Sequence, residues 1–319
     1  MHGGAIFDAE LATDAVADAT DLPQRAAEWT AYAALHAGVF TRLQLRAWLQ
    51  KPSPDAERAE ASRIIASLRA QGLATEEDLA GIGPCVHIHA KQVYRALGET
   101  DNRNRRRPGR EKAIERLLCL DYVLDHPDEP WLPTEDGKTQ ACEDAGIDRA
   151  TWPRKVYPAK DGQSETTRFF VEKFPLALDL QARRAVAACV NPGTTNARLK
   201  GWLDAYNPLL EAIAGAGLTL SLVHISQRPE LAEPAARQLE QAARGLGDGD
   251  AEEAALERIR NAIRACSEEA LESVGGLAEA LETARKIFER RAGRHAGVPI
   301  QVKTLTWTST RIADPEGAA

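Results

Sequence analysis

Five arginines, Arg103, Arg105, Arg106, Arg107 and Arg110, crowd a short tract that also holds Asn102 and Asn104 and the pair Pro108-Gly109. Guanidinium groups at this density suit phosphate oxygens, and a flexible arginine-rich arm can straddle a nucleic-acid backbone or enter a narrow minor groove. A second polar set stands at helical spacing in DAERAEASRIIASLRAQ. Ala61, Ile64, Ile65 and Leu68 form one apolar stripe there, and Glu57, Arg58, Ser62, Arg63 and Arg69 lie around the remaining surface. Outward residues near the start of such a helix can meet base edges in a major groove, which selects Arg58, Ser62 and Arg63, with Arg69 completing the set. Asp55, Glu57 and Glu60 weigh the other way, because carboxylates beside phosphates cost affinity. His87 and His89 alternate on one face of an extended stretch and are expected to point toward DNA or solvent.

Net charge over the 319 residues is -7, an acidic total whose distribution matters more than its sum. Residues 1–24 hold five acids and no Lys or Arg, residues 25–112 hold fifteen basic and ten acidic side chains, and the rest is acidic. Because screening at physiological salt confines a field to about 8 Å, a phosphate backbone responds to the local balance, and the basic segment is where DNA contact is expected. The sequence holds no run near the ~18 apolar residues of a membrane span, and its start, MHGGAIFDAELATD, is acidic where a signal peptide would be basic and then apolar. A cytoplasmic protein without membrane contact is expected. Cys85, Cys119, Cys142, Cys189 and Cys266 are far apart, without metal-ligand spacing, and read as reduced, mostly buried thiols. Neither a metal nor a cofactor is called for.

The elements that must position these groups follow from hydrophobic period and punctuation. Residues 1–24 lack apolar periodicity and read as a disordered acidic arm. RAAEWTAYAALH is a first helix stopped by Gly38, Thr41 caps a short second helix RLQLRAWL, and Asp55 to Gln71 is a third, closed by Gly72. A Gly83-Pro84 turn and an alternating strand at Cys85–His89 then make a two-stranded wing. Three short helices followed by a hairpin give the order of a winged helix-turn-helix, assigned to residues 25–101. Residues 102–150 read as a basic linker followed by helices.

Residues 151–249 read as an α/β domain: a hairpin around Lys155–Tyr157 and Arg168–Leu178, a strand at Arg184–Val190, a helix to Ile213, the buried strand LTLSLVHIS and a further helix. His224, inside that strand, reads as a core histidine. In the region 250–319 small or apolar residues recur at near-heptad spacing from 256 to 288, fitting either a dimer seam or a folded-back helical hairpin. The final PIQVKTLTWTSTRI reads as a strand or an extended arm. The fold class is therefore α+β / α/β, a winged helix followed by a nuclease-like domain and long C-terminal helices.

A metal-dependent nuclease of the PD-(D/E)XK type needs Glu-x-Lys on one strand so that both groups share a face. Glu172 and Lys173 are adjacent and point to opposite faces, and neither Glu165 nor Asp179 completes the pattern.

The blocks TAYAALHAGVFTRLQL, ASRIIASLRAQGL, RFFVEKFPLALD and ARLKGWLDAYNPLLEAI, the last ahead of LTLSLVHIS, resemble the replication-relaxation family of mobile-element proteins. The resemblance implies an N-terminal winged helix, a degenerate nuclease-like domain and a protein of a plasmid, conjugative element or phage. The expectation is a homodimer that binds double-stranded DNA and regulates transcription, with a protein partner accommodated by the α/β domain. The alternatives are an accessory factor in mobilisation, replication or recombination, a nuclease using Glu172 and Asp179, and a structural adaptor.

Overall fold

The structure, a computed structural model, describes residues 8–79, 82–158, 165–170, 174–247, 249–265, 267–293 and 301–312. It is mixed α+β. From residue 8 onward the first element overturns the disordered arm, whose residues 1–7 lie outside the described residues: Ala9–Ala19 form helix α1, capped by the Asp8 carboxylate, which accepts from the amides of Glu10 and Leu11. Only Thr13 and Val16 are buried along α1, too few apolar positions for a visible period, yet Val16 and Leu22 join the core beneath the next helix.

That helix, α2 (Gln24–His36), is followed by β1 (Val39–Thr41), α3 (Arg42–Leu49), α4 (Pro54–Ala70), β2 (Ala74–Leu79) and β3 (Gly83–Ile88). The strands form an antiparallel sheet in the order β1-β3-β2. Thr41 and Gln44 cap α3 reciprocally, each side chain bonding the other's backbone amide at 3.2 and 3.0 Å, and the Ser53 hydroxyl caps α4 at 3.1 Å from the Ala56 amide. Trp29 meets Phe40 edge-on at 5.1 Å at the centre of a core that also holds Leu45, Ile64, Leu68 and Ile88. Strand β1, three residues long, is too short for alternation to announce it.

After α5 (Lys91–Ala96) and a single 3₁₀ turn at Arg103–Arg105 comes α6 (Arg110–Asp125), buried without a break from Ala113 to Val123. A helix buried all round has to be clasped from opposite sides. Leu120 enters the N-terminal core, while Ile114, Leu117, Leu118 and Tyr122 pack with Val39 and Cys85 on one side and Val186, Val223 and Ile225 on the other.

Those last residues belong to a second sheet. The chain continues through α7 (Glu135–Asp144), the hairpin β4 (Arg154–Pro158) and β5 (Glu165–Phe169), β6 (Leu176–Asp179), β7 (Arg184–Asn191), α8 (Ala197–Gly215), β8 (Thr219–Ser226), α9 (Ala232–Gly247), α10 (Gly249–Ala265), α11 (Glu268–Glu272), α12 (Leu277–Gly293) and β9 (Val302–Thr308). The second sheet runs β6-β7-β8-β9, with β6 antiparallel to β7 and the others parallel. Helix α6 covers one face and α8 and α9 the other. The C-terminal segment is thus strand β9, and the chain beyond it is pinned to α6: Asp121, fully buried, accepts from Ser309 Oγ and from Arg311 at 2.7 Å.

Within the near-heptad region α10 packs on α12 as a folded-back hairpin, with Leu256, Ile259, Ala280 and Ile287 buried. Leu277, Leu281 and Phe288 of α12 stay exposed. Cys85, Cys119, Cys142 and Cys189 are buried free thiols, and Cys266 lies outside the described residues. Among the described residues no helix is long and apolar enough to cross a membrane.

His224, in β8, is 1% exposed, and its Nε2 accepts from the Asn191 side-chain amide at 3.2 Å, which fixes a neutral ring. Burial pushes its pKa down to about 4. The unfolded chain takes up this proton near pH 6.5 while the folded chain resists to about 4, so stability falls as pH drops through that window, by up to about 3 kcal/mol. Urea denaturation at pH 6.5 and 4.5 measures the loss, and His224→Gln should flatten it.

Candidate nucleic-acid interface

Helix α4 buries Ala61, Ile64, Ile65 and Leu68, which turns Ala59, Ser62 and Ala66 outward as a shallow spine flanked by Arg58, Arg63 and Arg69. The three arginines are more than half exposed and each rests on a carboxylate: Arg58 on Asp55, Arg63 on Glu60 at 2.6 Å and Arg69 on Glu76 at 3.1 Å. Arg58, by hydrogen bond and charge, holds the Asp55 carboxyl below its usual range. Two further arginines, which the sequence pattern alone did not single out, reach this helix from α3. Arg42 donates to Ser62 Oγ at 2.8 Å and pairs with Glu76 at 3.5 Å, and Arg46 pairs with Glu57 at 3.4 Å. Their signal lies in RLQLRAWL, where Arg42 and Arg46 stand four apart and so share the edge of the helix that borders the buried Leu45 and Leu49. Asp55, Glu57 and Glu60, the acids that weigh against DNA contact, are each engaged by an arginine. Ion pairs at a solvated helix surface add little to stability, so a phosphate can take a carboxylate's place at low cost.

The hairpin beside α4 carries Glu76, Glu77 and Asp78 on β2, and residues 71–90 contain no Lys or Arg. Neighbouring strand residues face opposite ways. Glu76 accordingly meets Arg42 and Arg69 on the α4 side, whereas Glu77 meets Arg107 at 2.8 Å on the other side. The sheet therefore separates the α4 arginines from the arginine tract. His87 shares the inward side with Cys85. It is 5% exposed, its Nε2 donates to the Asn104 carbonyl at 3.0 Å and burial lowers its pKa. The expectation that His87 points to DNA or solvent is corrected: alternation identified a shared face, but that face packs inward.

The tract is not a flexible arm either. Asn104, fully buried, donates its side-chain amide to the Ala34 and Leu35 carbonyls at 2.9 and 3.2 Å, satisfying acceptors that the end of α2 leaves orphaned. Arg116 of α6 donates to the carbonyls of Arg103, Asn104 and Arg106, and the Arg103 guanidinium reaches the Tyr157 hydroxyl at 2.8 Å. Arg105 is half-buried, while Arg106, Arg107 and Arg110 are exposed. With both edges fastened, the backbone cannot swing into a groove. Asn104→Ala leaves two buried carbonyls without a donor, a loss of about 1–3 kcal/mol. Limited trypsin digestion should cut after Arg103, Arg105 and Arg106 far faster in that variant than in the native chain.

In the α/β part, Asp179 accepts from the Ala182 amide at 2.8 Å and pairs with Arg184 at 3.4 Å, so it secures the β6–β7 turn. The strand beside it, RAVAACVN, has no acidic side chain. Glu172 and Lys173 lie outside the described residues. Among the described residues no three His, Cys, Asp or Glu side chains converge as a metal site. No family model, curated protein or solved structure matches the chain.

Proposed function

We propose that the protein binds double-stranded DNA through the exposed stripe of α4 and acts as a transcriptional regulator, in the cytoplasm, of a mobile genetic element. The observation that carries DNA contact is the stripe itself: three exposed arginines around a spine of Ala59, Ser62 and Ala66, with Arg42 and Arg46 reinforcing one edge. The order α2-β1-α3-α4-β2-β3 with sheet order β1-β3-β2 supports a winged-helix reading, in which the helix after the turn enters the major groove. The acidic strand β2 shifts phosphate contact away from the wing and onto α3 and α4. Arg106, Arg107 and Arg110 add to the positive field from the opposite side of the sheet and do not read bases. A degenerate nuclease-like scaffold remains the reading of the β6–β9 part, and the mobile-element setting rests on the resemblance in sequence alone. A homodimer is part of the proposal, with Leu277, Leu281 and Phe288 as its apolar face.

Selection of bound duplexes from a random pool by the full chain tests the reading. A recovered consensus containing an inverted repeat supports a dimeric regulator. A pool that stays random while binding persists would favour an accessory factor, and absence of binding by the folded chain would remove DNA from the account.

A further inference from the structure

A cavity of about 260 Å³ lies between α6, α7, the β4–β5 hairpin and residues 99–104. Cations reach it from every wall: Arg103 from the turn, Lys112 and Arg116 from α6, Lys138 from α7, Lys155 from β4 and Arg168 from β5. The carboxylates in the same walls are already engaged. Glu115 is held by Lys112 at 2.6 Å and Arg198 at 2.7 Å, and Glu135 by Arg168 at 2.7 Å and the Phe169 amide at 2.9 Å. Glu99 accepts from the Asn102 side chain at 2.9 Å.

Four of these cations, Arg103, Arg116, Lys138 and Lys155, have no paired carboxylate among the described residues, and two of the four, Arg116 and Lys138, are buried. Arg116, 8% exposed, spends its hydrogen bonds on three backbone carbonyls and so has a structural task. Lys138, 3% exposed, has no comparable task. Its ammonium donates to the Phe174 carbonyl at 2.9 Å and lies 4.6 Å from the Phe174 ring, contacts that use one of its three protons. Burial pushes its pKa down to about 8, against the pull of Cys119, Cys142 and Glu135, so it remains charged at neutral pH. A buried cation without a counter-ion destabilises a fold, and a hydrocarbon side chain in its place would not. The same burial puts both groups beyond the reach of duplex phosphates.

We propose that this cavity binds a small, multiply charged oxyanion, a phosphate ester or a polycarboxylate, with Lys138 and Arg116 as its inner counter-charges and Lys155 at its mouth. The volume sits just below the range of drug-sized pockets, which fits a compact organic anion. The site is independent of the α4 stripe.

Thermal unfolding of the full chain, without DNA, provides the test. Inorganic phosphate, pyrophosphate, glycerol phosphate and citrate are compared with chloride at matched ionic strength. At least one oxyanion should raise the midpoint by about 2 °C or more, and which class acts identifies the ligand's chemistry. Lys138→Met should keep or raise the anion-free midpoint while abolishing the rise, and Lys155→Gln should weaken affinity several-fold with the midpoint unchanged. No rise with any of the four, or a rise retained in full by both variants, overturns the proposal.

Discussion

Replacing Arg58, Arg63 and Arg69 together by alanine is expected to weaken binding to a selected duplex by about a hundredfold or more, with folding unaffected. The expectation follows from their position. All three are exposed and rest on carboxylates they can exchange for phosphate, and none contributes to the buried side of α4. The slope of log affinity against log salt should also become shallower, by about 0.9 for every phosphate that no longer meets an arginine. Within the set, Arg63→Ala should act mainly by relaxing sequence preference, at about 1–3 kcal/mol of discrimination if it reads a base edge. Replacing Arg106 and Arg107 should instead lower affinity evenly across sequences and by less, because they lie beyond the wing from α4. Fluorescence anisotropy on matched and scrambled duplexes over a salt series separates these outcomes. Equal losses from both sets would contradict the division the sheet imposes.

Gly38→Ala is expected to be the most damaging single methyl in the N-terminal half. Gly38 has φ of +70°, and a Cβ built there would stand 2.5 Å from Asn104 Cβ, 2.8 Å from the Asn104 carbonyl oxygen and 2.9 Å from the Tyr94 hydroxyl. The left-handed backbone alone costs a residue with a side chain about 1–2 kcal/mol. Overpacking against backbone adds about 1–3 kcal/mol more. The substitution should lower the denaturation midpoint and release the arginine tract to trypsin, since the displaced residue is the one that fastens the tract to α2. Gly72→Ala, at a similar φ of +65° with open space around it, serves as the control and should show the backbone term alone.

Much of the framework was legible because local signals and tertiary packing agree. Gly38, Thr41 and Gly72 mark helix ends by their own chemistry, and the Ala61, Ile64, Ile65, Leu68 stripe leaves only one face of α4 for solvent. What was illegible depends on partners distant in sequence. Asn104 in an arginine-rich tract looks like solvated linker until the carbonyls of Ala34 and Leu35 are seen to need its amide. His87 and His89 share a strand face, but only α6 and Asn104 make that face an inner one. The last strand pairs with β8, some eighty residues earlier, so nothing local distinguishes it from an arm. Lys138 lies in the polar-looking TEDGKTQACED, and only its alignment with Cys142, one turn on, hinted that it faces inward. The candidate site was thus half visible: the α4 residues could be chosen by type and period, while Arg42 and Arg46 needed the packing of α3 on α4.

The central claim is that the outer face of α4 lies against DNA, and site-specific photocrosslinking tests it most directly. A photoreactive side chain at Ala66, exposed on the spine of α4, is compared with one at Leu180, exposed in the β6–β7 turn. With a selected duplex, Ala66 is expected to crosslink and Leu180 is not. Crosslinking confined to Leu180, or absent from Ala66 while the labelled protein still binds, would contradict the account.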